Sequence, residues 1–160
     1  MDYPQNLDGV RFERNTATKA GYVILDRPPM NVVSFPAREQ IAKLIGAMDE
    51  DPDIRVIVIR GANGLYSSGG DIAGFLKVSR DGMHDLAWNV APPERAKKPV
   101  IAAIEKYAMG VAFELALASD FRLATESSQL ALPEINLGIT PAAAARSELR
   151  TSPVSHAPRR

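Results

Sequence analysis

The stretch that decides the fold of this chain reads Tyr66-Ser67-Ser68-Gly69-Gly70-Asp71-Ile72, and a second stretch of the same kind reads Gly110-Val111-Ala112-Phe113-Glu114. Each small-residue segment follows a predicted strand and leads into a helical pattern. A turn of this kind directs free backbone N–H groups into the space above it. Two such turns can hold one negatively charged oxygen between them, which is the geometry of an oxyanion hole.

Two carboxylates accompany these turns. Glu114 ends the second stretch, and Glu134 follows in the sequence Leu132-Pro133-Glu134. Two nearby carboxylates in different environments can divide the roles of base and acid between them. Simpler explanations stay open for each feature alone, since Glu114 suits a helix N-terminus and Glu134 suits a surface position after a proline. Either turn alone is also compatible with a plain glycine-containing loop.

Three blocks, in order and at matching spacing, resemble the crotonase superfamily, also called the enoyl-CoA hydratase/isomerase family. Residues 66–72 resemble its turn F-S-A-G-A-D-L, residues 107–120 resemble G-Y-A-x-G-G-G-x-E-L-A-L-x-C-D, and residues 132–139 resemble F-x-x-P-E-x-x-L-G-I. The resemblance covers roughly residues 10–141. It implies an α/β fold, the crotonase-like (ClpP/crotonase) spiral of ββα units, lacking the C-terminal helical region and truncated after the second glutamate.

The resemblance also implies an activity, namely the addition of water to a 2,3-unsaturated acyl-CoA. In that reaction Glu114 positions and activates the water, and Glu134 delivers the proton to carbon. The backbone N–H groups of Ser68 and Val111 are the donors carried over for the oxyanion hole, which would hold the thioester enolate. CoA enters as part of the substrate, so neither a separate cofactor nor a metal is expected.

Five further residues are expected to bind the substrate or its CoA part. Arg27 belongs to a segment that resembles the family sequence beside CoA, and its guanidinium geometry suits a phosphate. A strand-terminating turn with an exposed arginine is an equally good explanation of Arg27. Asp71 also suits the cap of the helix that follows the first turn. The five residues are Arg27, Ser67, Gly69, Asp71 and Gly110.

Other functions remain open from the sequence. An enoyl-CoA isomerase or a C–C bond hydrolase of the same family would use the same oxyanion hole. The pair of glutamates favours the hydratase, since many isomerases in the family keep only one. A function of another class is a truncated, non-catalytic remnant that binds acyl-CoA without turnover.

Composition restricts the partners. The 160 residues include 19 Lys and Arg, 19 Asp and Glu, and no cysteine. This balance favours neither nucleic acid nor an anionic membrane as a partner, and thiol-based sites are excluded. Without a recognisable signal peptide or membrane span, a cytoplasmic protein is expected. The resemblance implies a homo-oligomer, trimer-based in the family.

Periodicity predicts alternating strands and helices. A helix capped by Ser34 carries apolar residues at helical spacing from Ile41 to Met48. The β-branched run Val56–Ile59 predicts a strand buried on both faces. A short apolar helix is predicted over Phe113–Ala118. Further strands are predicted at Val10–Arg14, Gly21–Asp26, Val100–Ile104 and Phe121–Ala124.

Two regions are harder to interpret. Trp88 in the irregular segment 73–98 suits either core packing or a wall of the acyl pocket, and His84 and His156 show no metal spacing. Residues 142–160 are small, polar and basic, without a sustained apolar period.

We therefore predict a crotonase-like domain at residues 1–141, incomplete at its C-terminal end, followed by a divergent, disordered tail. A frameshift in the gene would explain that tail.

Overall fold

A computed structural model describes residues 3–75 and 90–141 of the chain. Trp88, His84 and His156, and the predicted tail 142–160, lie outside the described residues. No helix within the described ranges is long and apolar enough to cross a lipid bilayer. The strands are β1 (Val10–Asn15), β2 (Ala20–Leu25), β3 (Val56–Gly61), β4 (Val100–Ile104), β5 (Tyr107–Met109), β6 (Phe121–Ala124) and β7 (Gln129–Ala131). The helices are α1 (Phe35–Glu50), α2 (Ile72–Phe75), α3 (Pro92–Arg95), α4 (Val111–Leu117) and a 3₁₀ helix (Pro133–Leu137).

The main sheet has the strand order β1-β2-β3-β4-β6. β1 and β2 form an antiparallel hairpin, and every later neighbour in this sheet is parallel. Parallel neighbours need crossover connections, and α1 supplies the one between β2 and β3. These strands match the ones predicted from the sequence to within one residue at each end, except that β3 continues two residues beyond the predicted Val56–Ile59.

Helix α1 begins as the sequence predicts. Ser34 is its N-cap, and the Ser34 hydroxyl accepts a hydrogen bond from the Ala37 N–H at 3.3 Å. The helix packs against β1, β2 and β3. Its buried face contains the predicted apolar stripe together with one cation; the buried residues are Ala37, Arg38, Ile41, Leu44, Ile45 and Met48.

Strand β3 differs from its prediction. Ile57 and Ile59 are fully buried, whereas Val56 and Val58 are only half-buried. The prediction of burial on both faces is therefore wrong. The half-buried face also carries Arg60, whose guanidinium lies 5.8 Å from the centre of the Tyr22 ring. A cation over an aromatic ring is a contact typical of a partly solvated surface, and this face of the strand is the less covered one.

A second, smaller parallel layer forms beside the main sheet. β5 pairs with β7, and isolated bridges join Ser67 to Ala108 and Val33 to Gly70. The short extended segments that precede the glycine turns and the 3₁₀ helix therefore lie side by side in this layer. Gly110 continues the ladder by donating its N–H to the Ala131 carbonyl at 2.9 Å. This layer brings the two glycine turns next to each other.

Strand β6 is the edge of the main sheet among the described residues. Its large apolar side chains, Phe121 and Leu123, are 59% and 63% exposed. Uncovered apolar side chains on an edge strand favour association with other chains.

We predict that Tyr66→Phe stabilises the fold. Tyr66 is fully buried, and within the described part of the chain its hydroxyl has no hydrogen-bond partner. Removing a buried, unsatisfied hydroxyl without changing the ring should raise the free energy of unfolding by about 1 kcal/mol. Urea denaturation of the parent and the variant measures this difference.

The matched control is Tyr3→Phe. The Tyr3 hydroxyl donates to the Asp51 carboxylate at 2.5 Å, so the same chemical change should here lower the free energy of unfolding by about 1 kcal/mol. Equal effects of the two substitutions would contradict the assignment of Tyr66 as an unsatisfied buried donor.

Candidate active site

One cavity of about 450 Å³ brings both glycine turns and both glutamates together. It lies beside α4 and the 3₁₀ helix, at the ends of the extended segments of the second layer. A cavity of this size suits part of a small organic ligand. Its lining residues are Arg38, Ser68, Gly69, Gly70, Ile72, Gly110, Val111, Glu114, Pro133, Glu134, Leu137, Gly138, Ile139 and Thr140.

Helix α4 supplies Glu114 from its first turn. The helix begins two residues earlier than the sequence predicted, at Val111, and its first backbone hydrogen bond runs from the Glu114 N–H to the Gly110 carbonyl at 2.9 Å. The Glu114 side chain is only 3% exposed although it lines the cavity. A carboxylate buried to this degree needs compensating charge or hydrogen bonds, which makes it a candidate for chemistry.

The 3₁₀ helix supplies Glu134, and the second turn fits closely against it. A Cβ atom on Gly110 would lie 3.0 Å from Oε1 of Glu134, and Gly110 has a φ of +52°. Only glycine meets both conditions without strain. The other carboxylate oxygen, Oε2, is buried and has no hydrogen-bond partner among the described residues. One oxygen of Glu134 thus lies against the turn, and the other is left for a ligand or a proton.

The first turn requires a correction to the predicted oxyanion donors. The Ser68 N–H donates to the Met30 carbonyl at 3.0 Å and is therefore already engaged. In the part of the chain that the structure describes, the N–H groups of Gly70 and Val111 donate no hydrogen bond, and both residues line the cavity. Among the described residues, the Gly70 N–H is therefore free to bind a ligand, whereas the Ser68 N–H is not.

Three other residues predicted near the substrate mainly shape the first turn. The Ser67 side chain is fully buried, and its hydroxyl accepts the Gly69 N–H at 3.1 Å. Gly69 has a φ of +108°, and a Cβ there would lie 2.8 Å from the Met109 carbonyl oxygen. Asp71 accepts the Gly74 N–H at 3.2 Å, the capping contact that was the alternative explanation of this residue. Of these three, Gly69 alone is among the cavity-lining residues.

Arg27 lies outside the cavity lining. Its guanidinium forms an ion pair with Asp8 at 2.5 Å and lies 3.5 Å from the Ser34 hydroxyl. The side chain is about one-third exposed. The structure therefore favours the turn explanation of Arg27 and does not bring it to the two glutamates.

Sequence reasoning missed one charged residue of the cavity, Arg38. Its side chain is 4% exposed, and its guanidinium carbon lies 4.8 Å from the centre of the Phe35 ring. Burial lowers the pKa of Arg38 to about 10, and the negative charge of Glu114 opposes that shift. The side chain therefore stays cationic at neutral pH. A signal was present in the sequence, because Arg38 precedes Ile41 by three residues and Ile45 by seven, on the buried stripe.

The rest of the cavity is largely apolar. Ile72, Leu137 and Ile139 line it and are between 40% and 59% exposed, so they can contact an apolar ligand. Within residues 3–75 and 90–141, no group of three or more His, Cys, Asp or Glu side chains could hold a metal ion. The charged groups that line the cavity, among the described residues, are two carboxylates and one guanidinium, and they lie beside the backbone donors.

Comparison with known proteins places this geometry in a family. The family described as enoyl-CoA hydratase/isomerase matches residues 16–157. The match runs past residue 141, the approximate end of the resemblance seen in the sequence. A peroxisomal bifunctional enzyme of Danio rerio is 40% identical over 121 residues, which are 76% of this chain and 17% of that protein. A probable enoyl-CoA hydratase of Bacillus subtilis is 36% identical over 122 residues, 73% of this chain and 47% of that protein.

Solved structures agree with the sequence comparison. Pseudomonas aeruginosa DspI superposes with a TM-score of 0.81 at 27% identity, covering 91% of this chain and 61% of that chain. An enoyl-CoA hydratase from Thermoplasma volcanium gives a TM-score of 0.78 at 27% identity, covering 88% and 58%. The chain spans less than half the length of the Danio rerio and Bacillus subtilis relatives. These likenesses confirm the crotonase-like α/β fold, and the chain belongs to the enoyl-CoA hydratase/isomerase family.

Proposed function

We propose that this cavity hydrates a 2,3-unsaturated acyl-CoA or catalyses the reverse dehydration. The observation that carries the proposal is that Glu114 and Glu134 line one cavity together with the N–H groups of two turn residues. These two N–H groups, of Gly70 and Val111, donate no hydrogen bond among the described residues. Membership of the enoyl-CoA hydratase/isomerase family supports the same substrate class. CoA belongs to the substrate in this reaction, so the chemistry rests on the protein's own groups.

The backbone donors would act on the thioester oxygen. When water adds to the double bond, negative charge moves onto this oxygen and an enolate forms. The N–H groups of Gly70 and Val111 are suited to stabilise it, because they line the cavity from two different turns and donate no other hydrogen bond among the described residues. Losing one such donor in comparable sites costs roughly 3–4 kcal/mol of transition-state stabilisation.

The two carboxylates would move the protons. Glu114 accepts a proton from water as the water oxygen bonds to the β-carbon, and the electron pair of the double bond shifts into the thioester. Glu134 in its neutral form then protonates the α-carbon, and the enolate returns to a thioester. The result is one water added and one proton moved from Glu134 to Glu114, which exchange with solvent reverses. The buried Oε2 of Glu134, unpartnered among described residues, is suited to carry the donated proton.

We predict that Glu114→Gln and Glu134→Gln each lower kcat for hydration of crotonyl-CoA by about 100-fold or more, because a positioned acid or base contributes that much. Binding of the acyl-CoA should persist, since neither change alters side-chain volume. Loss of enoyl-thioester absorbance measures turnover, and calorimetry measures binding. Glu126→Gln, at an exposed position, is the matched control and should leave turnover unchanged.

Each alternative gives a different result in this assay. Isomerisation without hydration, with only one of the two glutamates required, would identify an isomerase. Binding of acyl-CoA by the folded parent chain without any turnover would identify the non-catalytic remnant. Hydration by Glu134→Gln at the parental rate would contradict the assignment of the acid.

We also predict that Gly110→Ala lowers hydratase activity far more than a glycine substitution with the same backbone strain. The new Cβ would push against Oε1 of Glu134, at 3.0 Å, besides occupying a positive φ. Gly64→Ala is the control, because Gly64 has a φ of +65° with no atom within 4 Å of the new Cβ.

The two variants should lose similar amounts of stability from strain, about 1 kcal/mol each, while Gly110→Ala alone loses at least about 10-fold in kcat. Thermal melts and steady-state kinetics on both variants make the comparison. Equal activity of the two would contradict the contact between the second turn and Glu134.

A further inference from the structure

Arg38 is the charged group of the cavity that the proposed reaction does not use. It reaches the cavity from α1, a different element from those that carry the glutamates, and is almost fully buried. Burying a guanidinium is costly unless an anion lies close to it. An apolar residue at this position of the α1 stripe would avoid that cost, which suggests that the charge of Arg38 has a function.

The surroundings of Arg38 are asymmetric. The charged side chains that line the cavity, among the described residues, are Arg38 from α1, Glu114 from α4 and Glu134 from the 3₁₀ helix. Arg38 and Glu114 are both almost fully buried, at 4% and 3% exposed, whereas Glu134 is only half-buried. The negative charge of Glu114 also opposes the lowering of the Arg38 pKa by burial. Helix α4 carries no other charged residue between Val111 and Leu117. A charge that is almost fully buried depends on a neighbouring opposite charge more than a half-buried one does, so Glu114 is the glutamate that the cation stabilises more.

Two carboxylates in one small cavity repel each other when both are ionised, so one proton tends to stay with the pair. Where that proton resides depends on which carboxylate has the better stabilised negative charge. A neighbouring cation stabilises the ionised form of its partner. A guanidinium coupled to Glu114 therefore directs the proton to Glu134.

We propose that Arg38 is a positioning residue, which keeps the Glu114 carboxylate ionised and oriented so that the proton shared by the two glutamates resides on Glu134. The proposal rests on the hydration reaction proposed above. Arg38 makes no contact with the reacting atoms in this scheme. It assigns the base and acid roles of the two glutamates before the substrate arrives, and it widens the range of acidic pH in which Glu114 can accept a proton.

The test compares Arg38→Met, Arg38→Gln and Arg38→Lys with the parent chain. The acid limb of the pH profile of kcat/KM should move upward by about one pH unit or more in the Met and Gln variants, because the stabilising charge is gone. Arg38→Lys should restore the parental limb, since it restores a cation. KM for crotonyl-CoA should stay within about two-fold. Arg60→Met, outside the cavity, is the matched control and should leave the profile unchanged.

A second measurement needs no turnover. The carboxyl carbon signal of Glu114, assigned through its loss in Glu114→Gln, can be titrated by NMR in the parent and in each Arg38 variant. Its midpoint should rise in Arg38→Met and return in Arg38→Lys. If the parent shows no hydratase activity, the proposed function fails while this titration still decides the role of Arg38.

Three results would overturn the proposal. One is an acid limb and a Glu114 titration that do not move in Arg38→Met or Arg38→Gln. Another is a rise in KM with kcat unchanged, which would identify Arg38 as a substrate-binding residue. The third concerns folding: if both neutral variants fail to fold, the double variant Arg38→Met/Glu114→Gln, with both charges removed, should melt at a higher temperature than Arg38→Met. A double variant that is no more stable would contradict the coupling.

Discussion

The backbone hydrogen bonds between the two glycine turns are the constraint on which the cavity depends. The Ser67 N–H donates to the Tyr107 carbonyl at 2.8 Å, and the Met109 N–H returns a bond to the Ser67 carbonyl at 3.3 Å. These bonds fix the register of two chain segments that are forty residues apart in sequence. They bring Gly70 and Val111 to one cavity, and the next step of the ladder, from Gly110 to Ala131, delivers Glu134. Site geometry is thus a consequence of strand register, with little dependence on the side chains of the turns.

The charges of the cavity form a second level of organisation on this frame. If two carboxylates shared one cavity without a cation, neither would be favoured as the one that carries the proton. Arg38 breaks this equivalence because α1, which packs on the main sheet, carries its guanidinium into the cavity from outside the second layer. The core helix therefore has two functions at once: its apolar side chains fill the interior, and one buried cation sets the electrostatics of the site.

The sequence predicted the elements whose patterning is local. The stripe from Ile41 to Met48 and the cap at Ser34 identify α1 without reference to the rest of the chain, and the strand segments follow from their β-branched residues. The two glutamates could be found because the motif blocks hold them at fixed spacing. Burial of β3 on both faces was wrong, because the burial of a strand depends on what other segments cover it, and Val56 and Val58 are covered only in part.

The residues that sequence reasoning missed depend on orientation, which sequence does not record. Which backbone N–H of the first turn is left free depends on how this segment pairs with its neighbours and on the φ of +108° at Gly69, neither of which the sequence records. At the bridge of Val33 to Gly70, the Val33 carbonyl accepts the Asp71 N–H and not the Gly70 N–H. The Gly70 N–H therefore has no acceptor among the described residues, whereas the Ser68 N–H donates to the Met30 carbonyl. A different register would leave another N–H group free without any change in the sequence. The same holds for Arg38. Its position on the stripe indicates burial, but only the packed structure reveals that it lines the same cavity as Glu114.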